Sequence, residues 1–482
     1  MIDHRPILLV IGILLATLGC AMMIPALLEV ALEQDGWVVF AASSVLTLFF
    51  GIAMAIASRG KTGNLSLREA FLLTTFSWVF LAAFGAIPFA WSNLGLSYTD
   101  AFFESMSGLT TTGATVIVGL DTAPRGLILW RALLQWLGGI GIIVMAIAVL
   151  PMLQIGGMQL FKVEAFDAPE KILPRATQIS GSLSSIYLIF TVACAFGYFI
   201  AGMNYFDAIV HSMTTIATGG YSSYDSSFQK FNDAGIESVA IVGMILGSIP
   251  FLLYLKGFRL GPLELFKDEQ VRGFLIALGF FILLLAIQQT LTSKFGFFTN
   301  LRHSAFNVTS LMTGTGYVST DYNKWGNFAI GLVFLVMFVG GCSGSTSCGI
   351  KIFRFQVMYS ALQHRIKTLI YPSGMFAINY NGHTVSQQVI SSVMSFFFLF
   401  VLFFLLLSLS LEMLGLDSLT AMSASASALA NVGPGLGELV GPNGNFSKLP
   451  DAAKWLLSFG MLLGRLELFA VLVLFTPSFW RR

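Results

Sequence analysis

The sequence predicts an all-α membrane protein with two N-terminal transmembrane helices followed by four tandem repeats. Of its 482 residues, 56% are hydrophobic and only 10% are charged, whereas about 25% of the residues of a soluble domain are charged. Apolar stretches of about 20 residues, the length needed to cross a bilayer, recur along the whole chain. Four shorter segments lie between them, and each ends in a glycine-bearing stretch.

Charge and cysteine usage exclude several classes of protein. With 26 basic and 24 acidic residues the formal net charge is +2, so we predict no nucleic acid partner. The apolar stretches are continuous rather than alternating, which argues against an outer-membrane barrel. The four cysteines form no CxxC pair and no histidine cluster stands near them, so neither a disulfide framework nor a zinc site is expected.

Each apolar stretch is interpreted as one membrane span. The first stretch is too long for the apolar region of a signal peptide and is interpreted as a retained span. The ten predicted spans are 7–28, 37–57, 70–91, 126–150, 180–202, 235–255, 273–293, 326–350, 386–414 and 452–476.

The four short segments form an internal repeat. They cover 98–110, 204–217, 299–313 and 417–430, too short to cross a bilayer, and are interpreted as half-spanning helices. Aligned without gaps, they bring four glycines into register, namely Gly113, Gly220, Gly316 and Gly433. Three of these helices have an aspartate near the start, Asp100, Asp207 or Asp417, which suits a helix N-terminus; the third helix carries Arg302 instead.

Basic residues predict the orientation. Most of the Lys and Arg fall in the termini and in the loops 58–69, 156–178, 256–272 and 351–384. The positive-inside rule then places both termini in the cytoplasm. All four half-spanning segments would enter and leave on the outer side of the membrane.

Glycine-rich backbone at membrane depth must be buried or line a watery cavity. Four such stretches around a pseudo-fourfold axis would present rings of carbonyl oxygens, which can replace the hydration shell of a monovalent cation. Glycine permits the positive φ that points successive carbonyls in one direction. The alternative is that these stretches are ordinary glycine-capped loops.

These residues resemble the Trk/Ktr/HKT superfamily of cation transporters, most closely its bacterial TrkH-type membrane subunit. The resemblance covers nearly the whole chain and is most specific in TTTGAT (110–115), ATGGYS (217–222), TGTGYVST (313–320) and NVGPGLG (431–437). It implies four tandem helix–pore loop–helix repeats around a pseudo-fourfold pore. The implied units are the two N-terminal helices in 1–69 and the pore repeats 70–155, 156–258, 259–384 and 385–482.

The resemblance also implies the filter and the transported ion. The filter-lining residues would be Thr111, Thr112, Gly113, Thr218, Gly219, Gly220, Gly314, Thr315, Gly316, Asn431, Val432 and Gly433. In related plant transporters a serine at the first filter glycine accompanies sodium permeation, so Gly113 favours K⁺ as the transported ion. The choice between Gly219 and Gly220 rests on the ungapped alignment.

A second candidate site follows the third filter stretch. Residues 340–349 read GGCSGSTSCG, a poor helix, because each interior glycine costs about 1 kcal/mol relative to alanine. We expect this break in a span to form a gate together with Arg465, an intramembrane arginine that needs a cavity or a partner. The predicted gate residues are Gly340, Gly341, Ser343, Gly344, Ser345, Gly349 and Arg465. Close helix packing by small residues, and a structural salt bridge of Arg465, are the alternatives.

The predicted function is potassium uptake across the bacterial inner membrane through a channel-like pore. An ion-coupled (H⁺ or Na⁺) symporter and a carrier for another solute are the alternatives. The few intramembrane charged or ionisable residues match no catalytic spacing, so we predict no enzyme and no organic cofactor. The resemblance implies a homodimer in the lipid bilayer and a cytosolic nucleotide-binding regulatory subunit of the TrkA type.

Overall fold

The computed structural model describes residues 3–60, 65–148 and 176–481. The chain is almost wholly helical there, with a single short β-hairpin among these residues. The predicted all-α membrane fold is confirmed. The predicted unit boundary at 155/156 lies outside the described residues.

The two N-terminal helices, α1 (His4–Ala31) and α2 (Trp37–Ala57), form a closely packed antiparallel pair. Glycines make the close approach possible. A methyl group on Gly12 would lie 2.7 Å from the Ala55 amide nitrogen, and one on Gly51 would lie 2.6 Å from that of Ala16. Small residues allow membrane helices to pack backbone to backbone. The helix α1 of this pair also packs against the first repeat.

The first repeat contains two spans and one half-length helix. Its helices are α3 (Leu67–Gly85), α4 (Ile87–Ala90), α5 (Tyr98–Leu109) and α6 (Arg125–Ala148). A capping box between Ser66 and Glu69 starts α3. The predicted span 70–91 is therefore a long helix followed by a single extra turn.

The second repeat has the same order but a bent last span. Its helices are α7 (Ala176–Ile200), α8 (Tyr205–Ile216), α9 (Ala234–Ser248) and α10 (Phe251–Leu260). The helices α9 and α10 meet at 94°. Pro250 lies at the bend, and a proline restricts the residue before it and cannot continue a helix. The predicted span 235–255 is therefore a bent pair of helices rather than a single helix.

The third repeat contains the break expected from sequence. Its elements are α11 (Glu269–Thr292), α12 (Phe297–Thr313), α13 (Asn327–Val336) and α14 (Ile352–Ile370), followed by the hairpin β1 (Asn379–Tyr380) and β2 (His383–Thr384). The segment between α13 and α14 is not helical. The first half of the predicted span 326–350 is helical, and its second half is this irregular segment.

The fourth repeat also ends in a broken span. Its helices are α15 (Gln387–Met413), α16 (Ser418–Ala430), α17 (Gly437–Val440), α18 (Asp451–Arg465), α19 (Phe469–Leu472) and α20 (Pro477–Trp480). The chain turns by 109° after Arg465, where Glu467 and Leu468 adopt positive φ. The predicted span 452–476 is thus not one helix, and Arg465 terminates α18 rather than lying mid-helix.

Short 3₁₀ helices complete the described structure. They lie in the connections that follow a half-length helix or a helix end. They are Leu120–Thr122, Ser227–Lys230, Pro262–Phe266, Tyr322–Trp325, Phe446–Lys448 and Val473–Phe475.

The described residues contain seven helices long and apolar enough to span a membrane, or up to nine if each bent pair is counted as one span. Ten were predicted, because hydropathy does not distinguish a straight apolar helix from a broken one. The four half-length helices are α5, α8, α12 and α16, and each begins and ends within two residues of its predicted bounds. They form the buried centre of the molecule.

Candidate functional site

The half-length helices carry side-chain caps at their N-termini in three of the four repeats. Ser97, Asn204 and Asp417 each accept a hydrogen bond from the backbone three residues on. The third helix, α12, begins after Gly296 without such a bond. The aspartates expected at these ends therefore play two roles: Asp417 is the cap itself, whereas Asp100 and Asp207 lie in the first turn.

Each half-length helix leads into a glycine loop, and the four loops are 111–113, 218–220, 314–316 and 431–433. The first position of each loop has the left-handed conformation, with φ of 51° at Thr111, 49° at Thr218, 74° at Gly314 and 50° at Asn431. Three of these are not glycine, and such a backbone costs on the order of 1–3 kcal/mol for each residue. Strain repeated at equivalent positions is typical of a functional site.

The third position of each loop is glycine with positive φ, at 85°, 78°, 82° and 104° along the chain. These are the four glycines that the repeat brings into register: Gly113, Gly220, Gly316 and Gly433. The loops thus share one backbone conformation despite different side chains.

Contacts between successive loops close into a ring. A methyl group on Gly113 would lie 2.3 Å from the Gly219 carbonyl oxygen, and one on Gly220 would lie 1.7 Å from that of Thr315. A methyl group on Gly316 would lie 2.1 Å from the Val432 carbonyl oxygen, and one on Gly433 would lie 2.7 Å from the Thr112 carbonyl oxygen. Each glycine therefore abuts the peptide before the glycine of the next loop, and the fourth loop returns to the first. The structure brings all twelve predicted filter residues together.

Side-chain hydrogen bonds hold the loops in place. The Asn431 amide donates to Thr112 Oγ1 at 2.9 Å, which joins the fourth loop to the first. Gln135 makes two hydrogen bonds at the second loop. Its Nε2 donates to the Gly219 carbonyl at 2.5 Å, and its Oε1 accepts from the amide of Tyr221, the residue after the loop, at 3.0 Å. These contacts fix the backbones of the second and fourth loops.

A buried ion pair supports the first and second loops. Arg131 Nε lies 2.8 Å from Glu104 Oε1, and both side chains are almost fully buried. Arg131 also donates to the Ser222 carbonyl at 2.8 Å and lies over the Tyr221 ring. The sequence prediction contains no role for this pair, although two opposite charges at membrane depth indicate an ion pair.

The intramembrane segment, residues 340–349, folds against the glycine loops. Its ends are joined, because the Gly340 amide donates to the Ile350 carbonyl and the Ile350 amide donates to the Phe338 carbonyl, in a parallel bridge between Val339 and Ile350. Ser347 Oγ donates to the Thr313 carbonyl at 2.7 Å. Thr346 Oγ1 lies 3.2 Å from Thr218 Oγ1. The segment therefore rests directly on the helix ends and loops of the second and third repeats.

The predicted residues of this segment divide into two groups. The two ends of the segment approach each other closely at Gly340, Gly341 and Gly349. Gly349 has a φ of 75°. Ser343 and Gly344 lie away from the loops and bind Gln270 and Phe251 through their backbones.

Ser345 Oγ donates to the Cys342 carbonyl, within the segment. Thr346 and Cys348 touch the loops, and Ser347 touches Thr313 at the end of α12. Sequence analysis did not single out these three residues, because composition alone does not distinguish them from their neighbours.

Arg465 lies against the intramembrane segment. Its Nη1 lies 3.2 Å from the Thr346 carbonyl oxygen and 2.7 Å from Cys348 Sγ. It makes no salt bridge with any described residue, and nearby Glu467 pairs with Arg354 instead. The structural salt bridge considered as an alternative for Arg465 is therefore absent from the described part of the chain.

A small cavity lies beside this contact. It has a volume of about 30 Å³ and is lined by residues of the intramembrane segment, the fourth glycine loop and the end of α18. Lys351, Arg465 and Glu467 are the charged residues in its lining. The volume is enough for about two water molecules.

Comparison with known proteins identifies the family. The TrkH family model, described as a cation transport protein, matches residues 37–482. The chain belongs to the TrkH family. It is 44% identical over 478 residues to the Trk system potassium uptake protein TrkI of Halomonas elongata, covering 99% of this chain and 97% of that protein. It is 38% identical over 490 residues to the Trk system potassium uptake protein TrkH of Vibrio parahaemolyticus, covering 99% of this chain and all of that protein.

The fold is shared with a solved member of the family. The crystal structure of the potassium transporter TrkH from Vibrio parahaemolyticus matches with a TM-score of 0.91 at 36% identity, covering 99% of this chain and 100% of that chain. The predicted resemblance and the fourfold repeat architecture are therefore confirmed. This member of the TrkH family is a multi-pass membrane transport protein rather than an enzyme.

Proposed function

We propose that this TrkH-family chain takes up potassium across the bacterial inner membrane through a channel-like pore, with both termini in the cytoplasm. The observation that carries the proposal is the closed ring of four glycine loops. A ring in which each glycine meets a backbone carbonyl of the next loop surrounds a single axis. The names of the relatives supply potassium as the ion.

The twelve residues of the glycine loops act as the selectivity filter. Their carbonyl oxygens replace water around a partly dehydrated cation, which requires a backbone held at fixed dimensions. The repeated positive φ and the contacts from Gln135, Asn431 and Arg131 support this assignment, because they hold the loops without occupying the axis.

The intramembrane segment and Arg465 act as the gate. The segment packs against the glycine loops, and a buried guanidinium beside it repels cations that leave the filter. Conduction then requires the segment to withdraw. Its high glycine content and its non-helical backbone support such a movement.

The remaining assignments complete the proposal. The pore repeats are 70–155, 156–258, 259–384 and 385–482, behind the N-terminal pair 1–69. Two copies of the chain form a homodimer. A cytosolic nucleotide-binding subunit of the TrkA type regulates it, so any nucleotide response belongs to that partner.

Flux of ⁸⁶Rb⁺ into proteoliposomes tests the gate. We expect Arg465→Ala, and separately a shortened 340–349 segment, to raise flux several-fold, because each removes part of the barrier. Lys324→Ala serves as the control, since this lysine is exposed and pairs only with Asp321. Unchanged flux in both gate variants would reject the gate, while blocked flux in a folded Gly113 variant would still support the filter.

A further inference from the structure

The thiol of Cys348 occupies a distinctive position between the glycine loops and Arg465. Its Sγ lies 2.7 Å from Arg465 Nη1 and 3.6 Å from Thr111 Oγ1. The Cys348 backbone amide also donates to the Thr313 carbonyl at 3.4 Å. A chemical change at this sulfur would therefore act on the filter and on the gate arginine together.

The sulfur shares its cavity with two cationic side chains and one carboxylate, that of Glu467. Cys348, Lys351 and Arg465 line the same cavity of about 30 Å³. Cys342 lies in the same segment, but its side chain is fully buried and it does not line this cavity.

Arg465 carries unused hydrogen-bond donors at this point. Its Nε and Nη2 have no acceptor among the described residues, and the residue is only 4% exposed. A buried donor without an acceptor is costly. One oxygen atom added to the neighbouring sulfur would provide an acceptor beside the guanidinium.

We propose that Cys348 is a site of oxidation by hydrogen peroxide, and that the resulting sulfenic acid holds the gate closed by bonding Arg465. The inference about flux rests on the proposed gate. The sulfur attacks one peroxide oxygen, the O–O bond breaks, and an S–O bond forms. The second oxygen leaves as water with the thiol proton, so that sulfur loses two electrons and peroxide gains them.

The cavity has room for the oxidant beside the sulfur. A volume of about 30 Å³ is enough for a molecule the size of water or hydrogen peroxide.

The experiment uses the full-length chain in proteoliposomes treated with hydrogen peroxide. Sulfenic acid is trapped with dimedone and located by peptide mass spectrometry, and ⁸⁶Rb⁺ flux is measured for each variant relative to its own untreated value. We expect dimedone on Cys348 and a flux about tenfold lower, since one charge-assisted hydrogen bond shifts an equilibrium by about that factor. A dithiol reductant should restore the flux.

Cysteine variants provide the controls. Cys342→Ser and Cys20→Ser should retain the peroxide response, whereas Cys348→Ser should lose both the label and the loss of flux. A response that persists in Cys348→Ser, or an unlabelled Cys348, would overturn the oxidation site. Labelling of Cys348 without any change in flux would overturn the proposal that the sulfenic acid holds the gate closed. If Arg465→Ala also leaves flux unchanged, the failure lies with the proposed gate rather than with the oxidation chemistry.

Discussion

At the scale of single residues, close contacts rather than side-chain chemistry dominate the candidate site. The third residue of each glycine loop has no room for a side chain, because a carbonyl of the next loop lies against it. The first residue of each loop tolerates Thr, Gly or Asn, although all four share the same strained backbone. The repeated element is therefore a backbone shape, which explains why the four loops differ so much in sequence.

Replacing Gly113 with alanine should disrupt the filter. The added methyl group would lie 2.3 Å from the Gly219 carbonyl oxygen, so the ring must open locally. We expect at least a tenfold loss of ⁸⁶Rb⁺ flux, or a comparable loss of selectivity over Na⁺.

Gly119→Ala is the matched control for this change. Gly119 has a similar φ of 81°, but a methyl group added there would lie 3.9 Å from its nearest neighbour, Thr122 Oγ1. It therefore incurs only the backbone strain of about 1–2 kcal/mol. Equal effects of the two substitutions would show that strain, and not contact within the ring, is responsible.

The Glu104–Arg131 pair should be essential to stability. Glu104→Gln leaves the buried Arg131 charge uncompensated, which costs about 3–5 kcal/mol. Thermal unfolding in detergent, followed by tryptophan fluorescence, should show a clear drop in midpoint together with lower flux.

The exposed pair of Lys230 and Asp121 offers the comparison. Asp121→Asn should change stability by less than about 1 kcal/mol, because exposed ion pairs contribute little. A Glu104→Gln protein as stable as this control would contradict a supporting role for the buried pair.

At the scale of elements, the half-length helices are the best-defined units of the chain. Each is short and amphipathic or rich in small residues, and three begin at a side-chain cap. The spans behave differently, because three of the ten predicted spans are broken by Pro250, by the 340–349 segment or by the turn after Arg465. Two of these breaks, at 340–349 and after Arg465, border the cavity that contains Arg465.

The cap of α16 gives a pH-dependent prediction. Hydrogen bonds from Thr420 lower the pKa of Asp417 below its usual value of 3.8. Because the folded-state pKa is the lower one, the stabilisation is present above the unfolded-state pKa and is lost as pH falls through the folded-state value.

Asp417→Ala should therefore destabilise the protein by about 1 kcal/mol at neutral pH. Asp417→Asn should cost less, since asparagine also caps helices. The difference between wild type and Asp417→Ala, measured as the unfolding midpoint, should shrink below about pH 4. A difference that stays constant over the acidic range would exclude a contribution from the carboxylate charge.

At the scale of the whole molecule, four repeats of one topology surround one axis, and the N-terminal pair packs outside the first repeat. All four half-length helices enter the molecule in the same sense, unlike the inverted repeats of many carriers. This arrangement favours a continuous path over alternating exposure of a central site.

Ion flux under an imposed proton gradient tests this difference. A channel-like pore should pass ⁸⁶Rb⁺ at the same rate with and without an opposing proton gradient, once the membrane potential is clamped with an ionophore. Dependence of the rate on the proton gradient would favour a symporter. Liposomes without protein serve as the background control, because flux into them reports leak through the lipid.

The sequence by itself determined the membrane class, the four half-length helices and the register of their glycines. Those features depend on composition and on spacing within a few tens of residues, which are local properties. Only the tertiary structure decided that spans bend at Pro250 and after Arg465, that the loops close into a ring, and that Thr346 and Cys348 touch it. Contacts such as Arg131 with Ser222 or Arg465 with Cys348 join residues 91 and 117 positions apart. Hydropathy cannot reveal such contacts, because a bent and a straight apolar segment have the same composition.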